Sequence, residues 1–286
     1  MAAPTAFDPE AFKRTTAEQW QRAAAAWHHW NPTLRAWLGP VTEVLLDLAR
    51  IGPGDRVLDV AAGSGEPALA AALRVGPGGS VLATDISANM LAYAEREAFL
   101  HGMDHLQARV MDGERLTLAD GTFDAALSRV GLLEFPDRRR ALAEMRRVLK
   151  PGGRVAVAVY STPERNPFLA TSLATLRRAA RLPPPAAAQP GPFSLGGPGA
   201  LAGALREAGF TDIAVEAVPA PLRLPSAAAC ARFAREAFGA WHQPLVGVPP
   251  DRQNAAWDEL ELALRRFEAH GAFVGPCELL VGVGTK

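Results

Sequence analysis

The chain has 286 residues, of which 49% are hydrophobic and 21% are charged, and its 30 basic residues are balanced by 30 acidic ones. This composition excludes wholesale disorder, and the neutral balance disfavours nucleic acid or an anionic membrane surface as a partner. Because domains commonly have ~150 residues, the length predicts about two domains, or one large domain with a lid.

Cysteine usage and the lack of targeting signals indicate the compartment. The two cysteines, Cys230 and Cys277, lie far apart and lack the spacing of a disulfide framework or a zinc site. The N-terminal residues carry Asp8 and Glu10 and do not resemble a signal peptide. No apolar run approaches the ~20 residues that span a bilayer. We therefore expect a soluble, cytoplasmic protein with no metal site and no membrane partner.

The predicted elements change character near residue 50. Residues 7–49 predict two or three helices, because Trp20, Trp27, Trp30 and several later leucines recur at helical spacing. From Arg56 onward, short β-branched runs alternate with helical segments. We predict strands near 56–60, 80–85, 106–110, 123–129 and 153–160, and helices near 67–75, 88–101 and 138–149. This alternation predicts an α/β fold with a parallel, doubly wound sheet that has helices on both faces.

The last third of the chain is less regular. Residues 183–199 contain six prolines and four glycines and predict a surface loop. A helix near 199–208 and a strand near 213–218 follow, residues 219–270 are predicted to be helical, and a final apolar run covers 278–284. We divide the chain into an N-terminal helical lid (1–50), a core (51–218), a helical insertion or lid (219–270) and a last strand of the core sheet (271–286).

The segment VLDVAAGSGEPALA, residues 57–70, passes from a buried strand through Gly63-Ser64-Gly65 into a helix. Glycines at such a turn let the backbone bend sharply and let a ligand approach the peptide groups. The segment formally matches the dinucleotide fingerprint, and Asp85 follows Gly65 by the offset of an acid that binds ribose hydroxyls. Taken alone, this pattern predicts an NAD(P)-dependent oxidoreductase.

Asp59 disfavours that interpretation. A carboxylate just before the glycine turn would repel a doubly negative pyrophosphate, whereas it would attract a cation. S-adenosylmethionine (SAM) has no phosphate, carries a sulfonium and an ammonium, and retains a ribose that Asp85 could bind. One site for SAM would therefore use both acids.

In their order and spacing, these segments resemble the class I SAM-dependent methyltransferases, and among them the type-11 group related to ubiquinone and menaquinone biosynthesis. The resemblance covers roughly residues 20–218. Residues 59–65 resemble the first motif of the family, and residues 84–87 resemble its ribose-binding strand end. Residues 111–113 are similar to the acidic loop that in the family meets the adenine amino group. Residues 123–137 resemble the fourth-strand motif, and 147–153 resemble the turn before the fifth strand.

This resemblance implies a Rossmann-like methyltransferase sheet whose last strand is antiparallel, with SAM as cofactor. The cofactor-binding residues that it implies are Asp59, Ala61, Gly63, Ser64, Gly65, Asp85, Ile86, Met90, Met111, Asp112, Gly113, Ser128 and Arg129. One position departs from the family pattern: Ala62 stands where many members have a glycine. We expect a slightly stiffer turn that still binds the cofactor.

Each of these residues also has a purely structural interpretation. Asp59 could cap the following turn, Asp85 could be the N-cap of the next helix, and Asp112 could form an Asx turn. Ile86 and Met90 could belong to the core. Arg129 could form a surface ion pair with Glu134 instead of facing the crevice at the sheet edge.

Residues that contact the acceptor are expected in the flanking helices. His28 and His29 are candidates for a general base, of which at most one can face the crevice, because adjacent helical residues point in different directions. The alternative is a solvated pair on an amphipathic helix. Trp27, Trp30 and His242 are candidates for substrate binding, although the tryptophans could equally form the core of the lid.

The sequence therefore predicts a SAM-dependent methyltransferase that transfers a methyl group to an oxygen, carbon, nitrogen or sulfur atom of a small organic molecule, chiefly by proximity and alignment. Two alternatives stay open: an NAD(P)-dependent oxidoreductase and a non-catalytic SAM-binding module. Methylation of nucleic acid is disfavoured by the neutral charge and by the lack of an Asn/Asp-Pro-Pro-Tyr/Phe signature after the fourth strand. The acceptor, its reacting atom and the oligomeric state are left open.

Overall fold

A computed structural model describes residues 7–182, 190–238, 245 and 247–286. The described helices are α1 (Pro9–His29), α2 (Asn31–Leu48), α3 (Glu66–Val75), α4 (Ala88–Leu100), α5 (Arg138–Val148), α6 (Pro167–Ala179), α7 (Ala200–Glu207), α8 (Ala227–Ala237) and α9 (Pro250–Leu264), with 3-10 turns at Gly131–Glu134 and Arg265–Phe267. The described strands are β1 (Arg56–Val60), β2 (Ser80–Asp85), β3 (Leu106–Val110), β4 (Phe123–Arg129), β5 (Leu149–Tyr160), β6 (Thr211–Pro219), β7 (Leu222–Leu224), β8 (Glu268–Ala269), β9 (Ala272–Gly275) and β10 (Glu278–Thr285).

The main sheet has seven strands in the order β3-β2-β1-β4-β5-β10-β6. Strands β1 to β5 are parallel to one another, whereas β10 is antiparallel to both β5 and β6. The strand order reverses between β1 and β4, and open α/β sheets bind their ligands in the crevice at such a reversal. The prediction of a doubly wound, mostly parallel sheet with an antiparallel last strand is confirmed.

The inner strands are buried on both faces, as is typical of a sheet covered by helices. In β1 only Arg56 is exposed, and the run 155–159 of β5 is fully buried. Helices α2, α3 and α4 pack on the sheet and successively on one another, and α5 and α7 form a second packed pair. These packed helices hold β1 and β4 in place, and with them the carboxyl edge of the sheet, where the side chains of the two strands meet.

Polar side chains at the amino edge of the sheet are paired. The Asp124 carboxylate, near the start of β4, accepts hydrogen bonds from Lys150 Nζ at 2.7 Å and from the Arg56 backbone N–H at 2.9 Å. Burial tends to raise the pKa of Asp124, but these bonds outweigh it and lower that pKa below its ordinary value. This acid is therefore held in its charged form by its neighbours.

The region after the core corrects two expectations. Residues 219–270 are not uniformly helical, because β7, β8 and β9 form a small antiparallel sheet of their own beside α8 and α9. In β7, Leu222 and Leu224 are buried on either side of an exposed Arg223, which is the strand period of two rather than a helical one. Helix α6 was not predicted, and residues 183–189 of the proline-rich segment lie outside the described residues. No helix in the part of the chain that the structure describes is long and apolar enough to cross a membrane.

Candidate functional site

The glycine-rich turn after β1 is built from left-handed backbone conformations. Gly63 has φ of 56° and Gly65 of 90°, and a Cβ on Gly65 would lie 2.6 Å from the Ala94 Cβ of α4, so this position admits only glycine. Ala61 also has a positive φ, of 59°, whereas Ala62 does not. Our assignment of the glycine departure to Ala62 is therefore wrong by one position: Ala61 carries the conformation that glycine adopts without strain.

Asp85, at the carboxyl end of β2, holds this turn in place. One carboxylate oxygen accepts the Gly63 backbone N–H at 2.9 Å, and the other accepts the Ser87 N–H at 2.9 Å. The N-cap of α4 is Ser87, whose hydroxyl accepts the Met90 N–H, so Asp85 is not that cap. Burial raises the pKa of Asp85, and backbone bonds from Ser87, Gly63 and Ile86 oppose this rise. The carboxylate thus lies between the glycine turn and the start of α4.

Asp59, at the carboxyl end of β1, has a different environment. It is fully buried, and neither of its carboxylate oxygens has a hydrogen-bond partner among the described residues. Burial raises the pKa of Asp59 to about 8, and the Arg129 guanidinium only partly offsets this effect. The Ala68 backbone N–H, in the first turn of α3, lowers this pKa slightly, as a capping role for Asp59 would require, but it leaves the buried carboxyl group incompletely satisfied.

Arg129 ends β4 and pairs with a residue that the sequence had not singled out. Its Nη1 donates to Glu66 and, at 2.7 Å, to the Thr42 hydroxyl, and the ion pair with Glu66 is almost completely buried. The alternative interpretation, a surface ion pair with Glu134, does not hold, because Arg129 pairs with Glu66 in the interior. Glu66 is the first residue of α3 and directly follows the glycine turn, so its position in the motif was the signal that could have identified it.

Unsatisfied polar atoms collect at this edge of the sheet. Of the five buried side-chain nitrogen and oxygen atoms without a partner in the described structure, four belong to Asp59, Ser128 and Arg129, and the fifth is Arg138 Nη1. Asp59 pairs in register with Leu127, next to Ser128, so these atoms flank the reversal between β1 and β4. Buried polar atoms are costly unless a partner satisfies them, so the cluster is suited to a polar ligand.

The acidic loop after β3 is tied to the N-terminal helix. One oxygen of Asp112 accepts the Glu114 N–H in an Asx turn, as the structural interpretation predicted. The other oxygen accepts a bond from Lys13 at 2.8 Å, and Lys13 also bonds Glu114 at 2.6 Å. Gly113 lies under Phe135, whose Cζ would be 2.6 Å from an added Cβ. Met111 is partly buried, and its N–H donates to the Asp85 carbonyl.

Helix α1 and the start of α2 contact the same rim at further points. The Gln21 Oε1 accepts the Ser87 hydroxyl at 2.7 Å and the Asn89 N–H at 3.2 Å, next to Ile86. Asn31 accepts the Ser64 hydroxyl at 3.0 Å. Met90 is buried, as its core interpretation requires. Lys13, Gln21 and Asn31 were not predicted from the sequence, because no local pattern marks a polar residue that bonds a distant loop.

The two candidate tryptophans occupy different surroundings. The Trp27 Nε1 lies 3.7 Å from an ideal Cβ on Gly63, so this indole borders the glycine turn. Its ring also contacts Trp20 and Phe238 edge-on. Trp30 is buried, and its N–H donates to Glu236 on α8 at 2.8 Å, which places it in the core of the flanking helices. His242 lies outside the described residues.

The two histidines also differ. The His28 ring stacks on Tyr93 of α4 with centroids 4.3 Å apart, its Nε2 lies 3.7 Å from a Glu97 oxygen, and its Nδ1 bonds Asn31. His28 thus reaches the glycine turn only through Asn31 and Ser64. His29 is exposed and packs edge-on against Trp30.

The charges of the site fit a cationic ligand better than a dinucleotide. Asp59 offers two unpartnered carboxyl oxygens beside the turn, and Asp85 offers an acceptor for hydroxyl groups. Arg129 and Lys13, the cations described at this rim, are already paired with Glu66 and with the acidic loop. A pyrophosphate would therefore meet carboxylates rather than unpaired cations. The donor set fits the sulfonium, ammonium and ribose of SAM.

The α/β fold and the charges of this site are those expected of a SAM-dependent methyltransferase. The sequence model of the family described as "Methyltransferase domain" matches residues 58–157. Nocamycin O-methyltransferase of Saccharothrix syringae is 34% identical over 249 residues, which cover 82% of this chain and 85% of that protein. The chain belongs to the SAM-dependent methyltransferases, and SAM is its cofactor.

Two further relatives show how far the similarity extends. The ubiquinone/menaquinone biosynthesis C-methyltransferase UbiE of Bordetella avium is 40% identical over 146 residues, covering 51% of this chain and 57% of that protein. This chain thus spans just over half of UbiE. Phosphoethanolamine N-methyltransferase 2 of Haemonchus contortus, solved with SAM, shares the fold with a TM-score of 0.55 at 18% identity, covering 99% of this chain and 61% of that one. Methyl transfer therefore replaces the oxidoreductase alternative.

Proposed function

We propose that this methyltransferase methylates an oxygen atom of a small organic molecule, with the cofactor bound between the carboxyl ends of β1 and β4. The observation that carries the proposal is the convergence of unsatisfied buried atoms of Asp59, Ser128 and Arg129 on the reversal of strand order. The neutral overall charge supports a small acceptor rather than nucleic acid. The two described cysteines are buried and free, which supports a cytoplasmic location.

Each part of the cofactor has a proposed set of partners. Asp59 attracts the cationic methionine end, Asp85 accepts the ribose hydroxyls, and Asp112 accepts from the adenine amino group once Lys13 shifts. The glycine turn brings backbone N–H groups close to the ligand. The full proposed set is Asp59, Ala61, Gly63, Ser64, Gly65, Asp85, Ile86, Met90, Met111, Asp112, Gly113, Ser128 and Arg129. When bound, SAM supplies an electrophilic methyl group with a good leaving group.

The choice of oxygen follows from how much of the chain each relative matches. The O-methyltransferase relative aligns over 249 residues, so its similarity extends beyond the 58–157 region into the flanking segments. The C-methyltransferase relative aligns over 146 residues. Because flanking segments contact the acceptor and the core contacts the cofactor, the longer match is the better guide to the acceptor. Carbon is the second candidate, supported by the higher identity of the shorter match.

The proposed acceptor crevice lies under two flanking regions, residues 1–50 and 219–270, over the 51–218 core and the 271–286 strand. Trp27 borders the glycine turn, and its ring meets Phe238 at a centroid distance of 5.8 Å, which joins α1 to the end of α8. Trp27 is thus suited to a flat apolar part of the acceptor. Trp30 packs on Phe233, which in turn contacts Phe238. Trp30 and His242 remain proposed acceptor contacts.

The test is to incubate the protein with SAM and a metabolite extract and to identify methylated products by mass spectrometry. O-methylated small molecules support the proposal, C-methylated products favour the second candidate, and tight SAM binding without any product points to a non-catalytic module. Deleting residues 1–33 should abolish turnover and preserve appreciable SAM binding. Turnover that survives this deletion would remove the N-terminal helices from the acceptor crevice.

The histidines are tested separately. We propose that His28, through Asn31 and Ser64, or His29 orients the acceptor. His28→Ala and His29→Ala should then differ in turnover, because adjacent helical residues point ~100° apart. Equal, near-wild-type rates in both variants across acidic pH would exclude a histidine from the mechanism.

A further inference from the structure

The 3-10 turn Gly131–Glu134 follows β4 directly and lies against the glycine-rich turn. A Cβ on Gly131 would lie 2.4 Å from the Ala61 Cβ and 3.0 Å from the Ser128 Oγ, so the two turns are in direct contact. The turn begins at Val130, whose φ of 56° redirects the chain across the end of the sheet. Phe135, just after the turn, covers Gly113 of the acidic loop. Glu134 therefore projects from a segment fixed between both cofactor loops.

The Glu134 carboxylate has no partner, unlike its neighbours. It is half-buried, and no hydrogen bond or ion pair to it is found among the described residues. Glu66 is paired with Arg129, and Glu114 with Lys13, in the same part of the molecule. Burial raises the pKa of Glu134 to about 7. A carboxylate in such surroundings can both accept and release a proton near neutral pH.

The other charged and titratable groups around this turn come from four elements. Arg129 on β4 is paired with Glu66, and Asp137 caps α5 by accepting the Arg140 N–H. Tyr160 ends β5 and is nearly buried, and burial raises its pKa together with the negative charges of Cys277, before β10, and Glu134. Glu134 and the Tyr160 phenol thus lie within electrostatic reach of each other, at the carboxyl edge of adjacent strands.

We propose that Glu134 contacts the acceptor and takes its hydroxyl proton during methyl transfer, while the Tyr160 hydroxyl orients the same oxygen. This inference rests on the proposed O-methylation. The acceptor oxygen forms a bond to the methyl carbon, and the carbon–sulfur bond breaks with its electron pair left on sulfur. The hydroxyl proton passes to a Glu134 oxygen and leaves to solvent afterwards. No further reactant is needed, because the sulfonium becomes a neutral thioether while the carboxylate becomes a neutral carboxylic acid, so the total charge is unchanged.

Glu134 serves this role better than either histidine in the described structure. His28 is stacked on Tyr93 and bonded to Asn31, and His29 is exposed. Glu134 is attached to the strand end that flanks the crevice and contacts the glycine turn through Gly131. A base on this turn would be held by the sheet itself rather than by a flanking helix.

The experiment uses the full-length protein with labelled SAM and a series of phenols of increasing acidity as probes. Glu134→Gln should lower kcat ~100-fold on weakly acidic phenols, which is the usual size of general-base catalysis. It should lower kcat less on acidic phenols that are already ionised, and it should abolish the rise of kcat with pH near 7. The SAM dissociation constant from calorimetry should not change. Glu134→Asp should recover part of the rate, and Glu95→Gln, an exposed acid on α4, is the matched control.

Two results would overturn the inference. The first is a folded Glu134→Gln enzyme with the wild-type kcat and the wild-type pH profile. The second is a carboxyl NMR titration of Glu134 in the wild-type protein with a midpoint near the ordinary glutamate value of ~4.3. A wild-type enzyme that binds SAM but methylates no phenol would contradict the proposed O-methylation instead, and the NMR titration would still test the environment of Glu134.

Discussion

Asp124 and Asp59 lie at opposite edges of the same sheet and have opposite surroundings. At the amino edge, Asp124 accepts bonds from Lys150 and from the Arg56 backbone, and its pKa is lowered. At the carboxyl edge, Asp59 is fully buried with no side-chain hydrogen-bond partner among the described residues, and its pKa is raised to about 8. The neighbours of Asp124 satisfy its charge, whereas those of Asp59 do not, and this difference is why we propose that a ligand supplies the missing partner of Asp59.

The largest effect is expected at Asp85, which lies at the carboxyl edge. Asp85→Ala should weaken SAM binding by about 2 kcal/mol or more, or ~30-fold, since a lost hydrogen bond to a charged acceptor costs ~1.5–3 kcal/mol. Calorimetry measures this directly. Asp124→Ala is the control at the amino edge and should leave SAM affinity unchanged. An unchanged affinity in folded Asp85→Ala would contradict the ribose role, and tight NAD binding by the wild type would reopen the dehydrogenase alternative.

Above pH 8, where Asp59 is charged, Asp59→Asn should lower SAM affinity ~10-fold and leave the fold intact, because the variant loses the charge that attracts the cationic end of the cofactor. Calorimetry and thermal unfolding of the apo protein are measured together. A melting temperature that falls strongly while SAM affinity stays unchanged would show that Asp59 is structural, and the contrast with Asp124 would be lost.

The two acids should also respond to pH in opposite directions. Raising the folded pKa of Asp59 from 3.8 to about 8 favours its protonated form, so its contribution to the unfolding free energy is complete below pH ~4 and is lost as the pH rises toward 8. Asp124 has a lowered pKa, so its contribution is present above its ordinary value of 3.8 and is lost as the pH falls below it. In denaturant titrations, the stability of Asp59→Asn relative to wild type should rise between pH 4 and 8. Asp124→Asn should stay below wild type by a constant amount over that range and approach it only below pH ~4. A constant difference between Asp59→Asn and wild type from pH 4 to 8 would contradict the assignment.

Ser128→Ala should stabilise the apo protein by about 1 kcal/mol, since it removes a buried hydroxyl without a partner, and such a group costs ~1–3 kcal/mol. The matched control is Ser172→Ala on α6, because the Ser172 hydroxyl donates to the Phe168 carbonyl at 2.7 Å. That variant should not be stabilised. Equal changes in the unfolding free energies of the two variants would show that the missing partner of Ser128 has no energetic consequence.

The smallest effect concerns the glycine turn. Ala61→Gly should raise the unfolding free energy by up to ~1 kcal/mol, because a left-handed alanine costs ~1–2 kcal/mol, part of which the added chain entropy of glycine offsets. Ala62→Gly should lower it by ~0.5–1 kcal/mol, because Ala62 has an ordinary φ. If thermal unfolding showed that Ala62→Gly is stabilised and Ala61→Gly is destabilised, the strained residue would be Ala62 rather than Ala61.

The sequence predicted those parts of the site that depend on neighbours along the chain. The glycine turn and the strand end at Asp85 are set by local turn chemistry and by the length of one βα unit. The structure adds that Asp85 accepts the Gly63 N–H, a contact consistent with the predicted offset.

The remaining contacts join residues from separate elements, and no local pattern encodes them. Arg129 meets Glu66 and Thr42 only after three elements have packed, and Lys13 reaches Asp112 across 99 residues. Alternation of strands and helices likewise predicted a parallel sheet. It did not predict β7, which is too short for its alternation of buried and exposed residues to be recognised in the sequence. A local motif thus predicts where its residues lie along a strand, turn or helix, whereas the packing of distant elements decides which residues they contact.

Strand β10 has a consequence for how the protein is made. It pairs with β5 on one side and β6 on the other, and it follows both of them along the chain. Until it emerges from the ribosome, the apolar run 155–159 of β5 is an open strand edge, and such edges template aggregation. A nascent chain that stalls before Glu278 would carry this edge unprotected and would leave β6 detached from the sheet. Closure of the main sheet is thereby coupled to translation of its final strand.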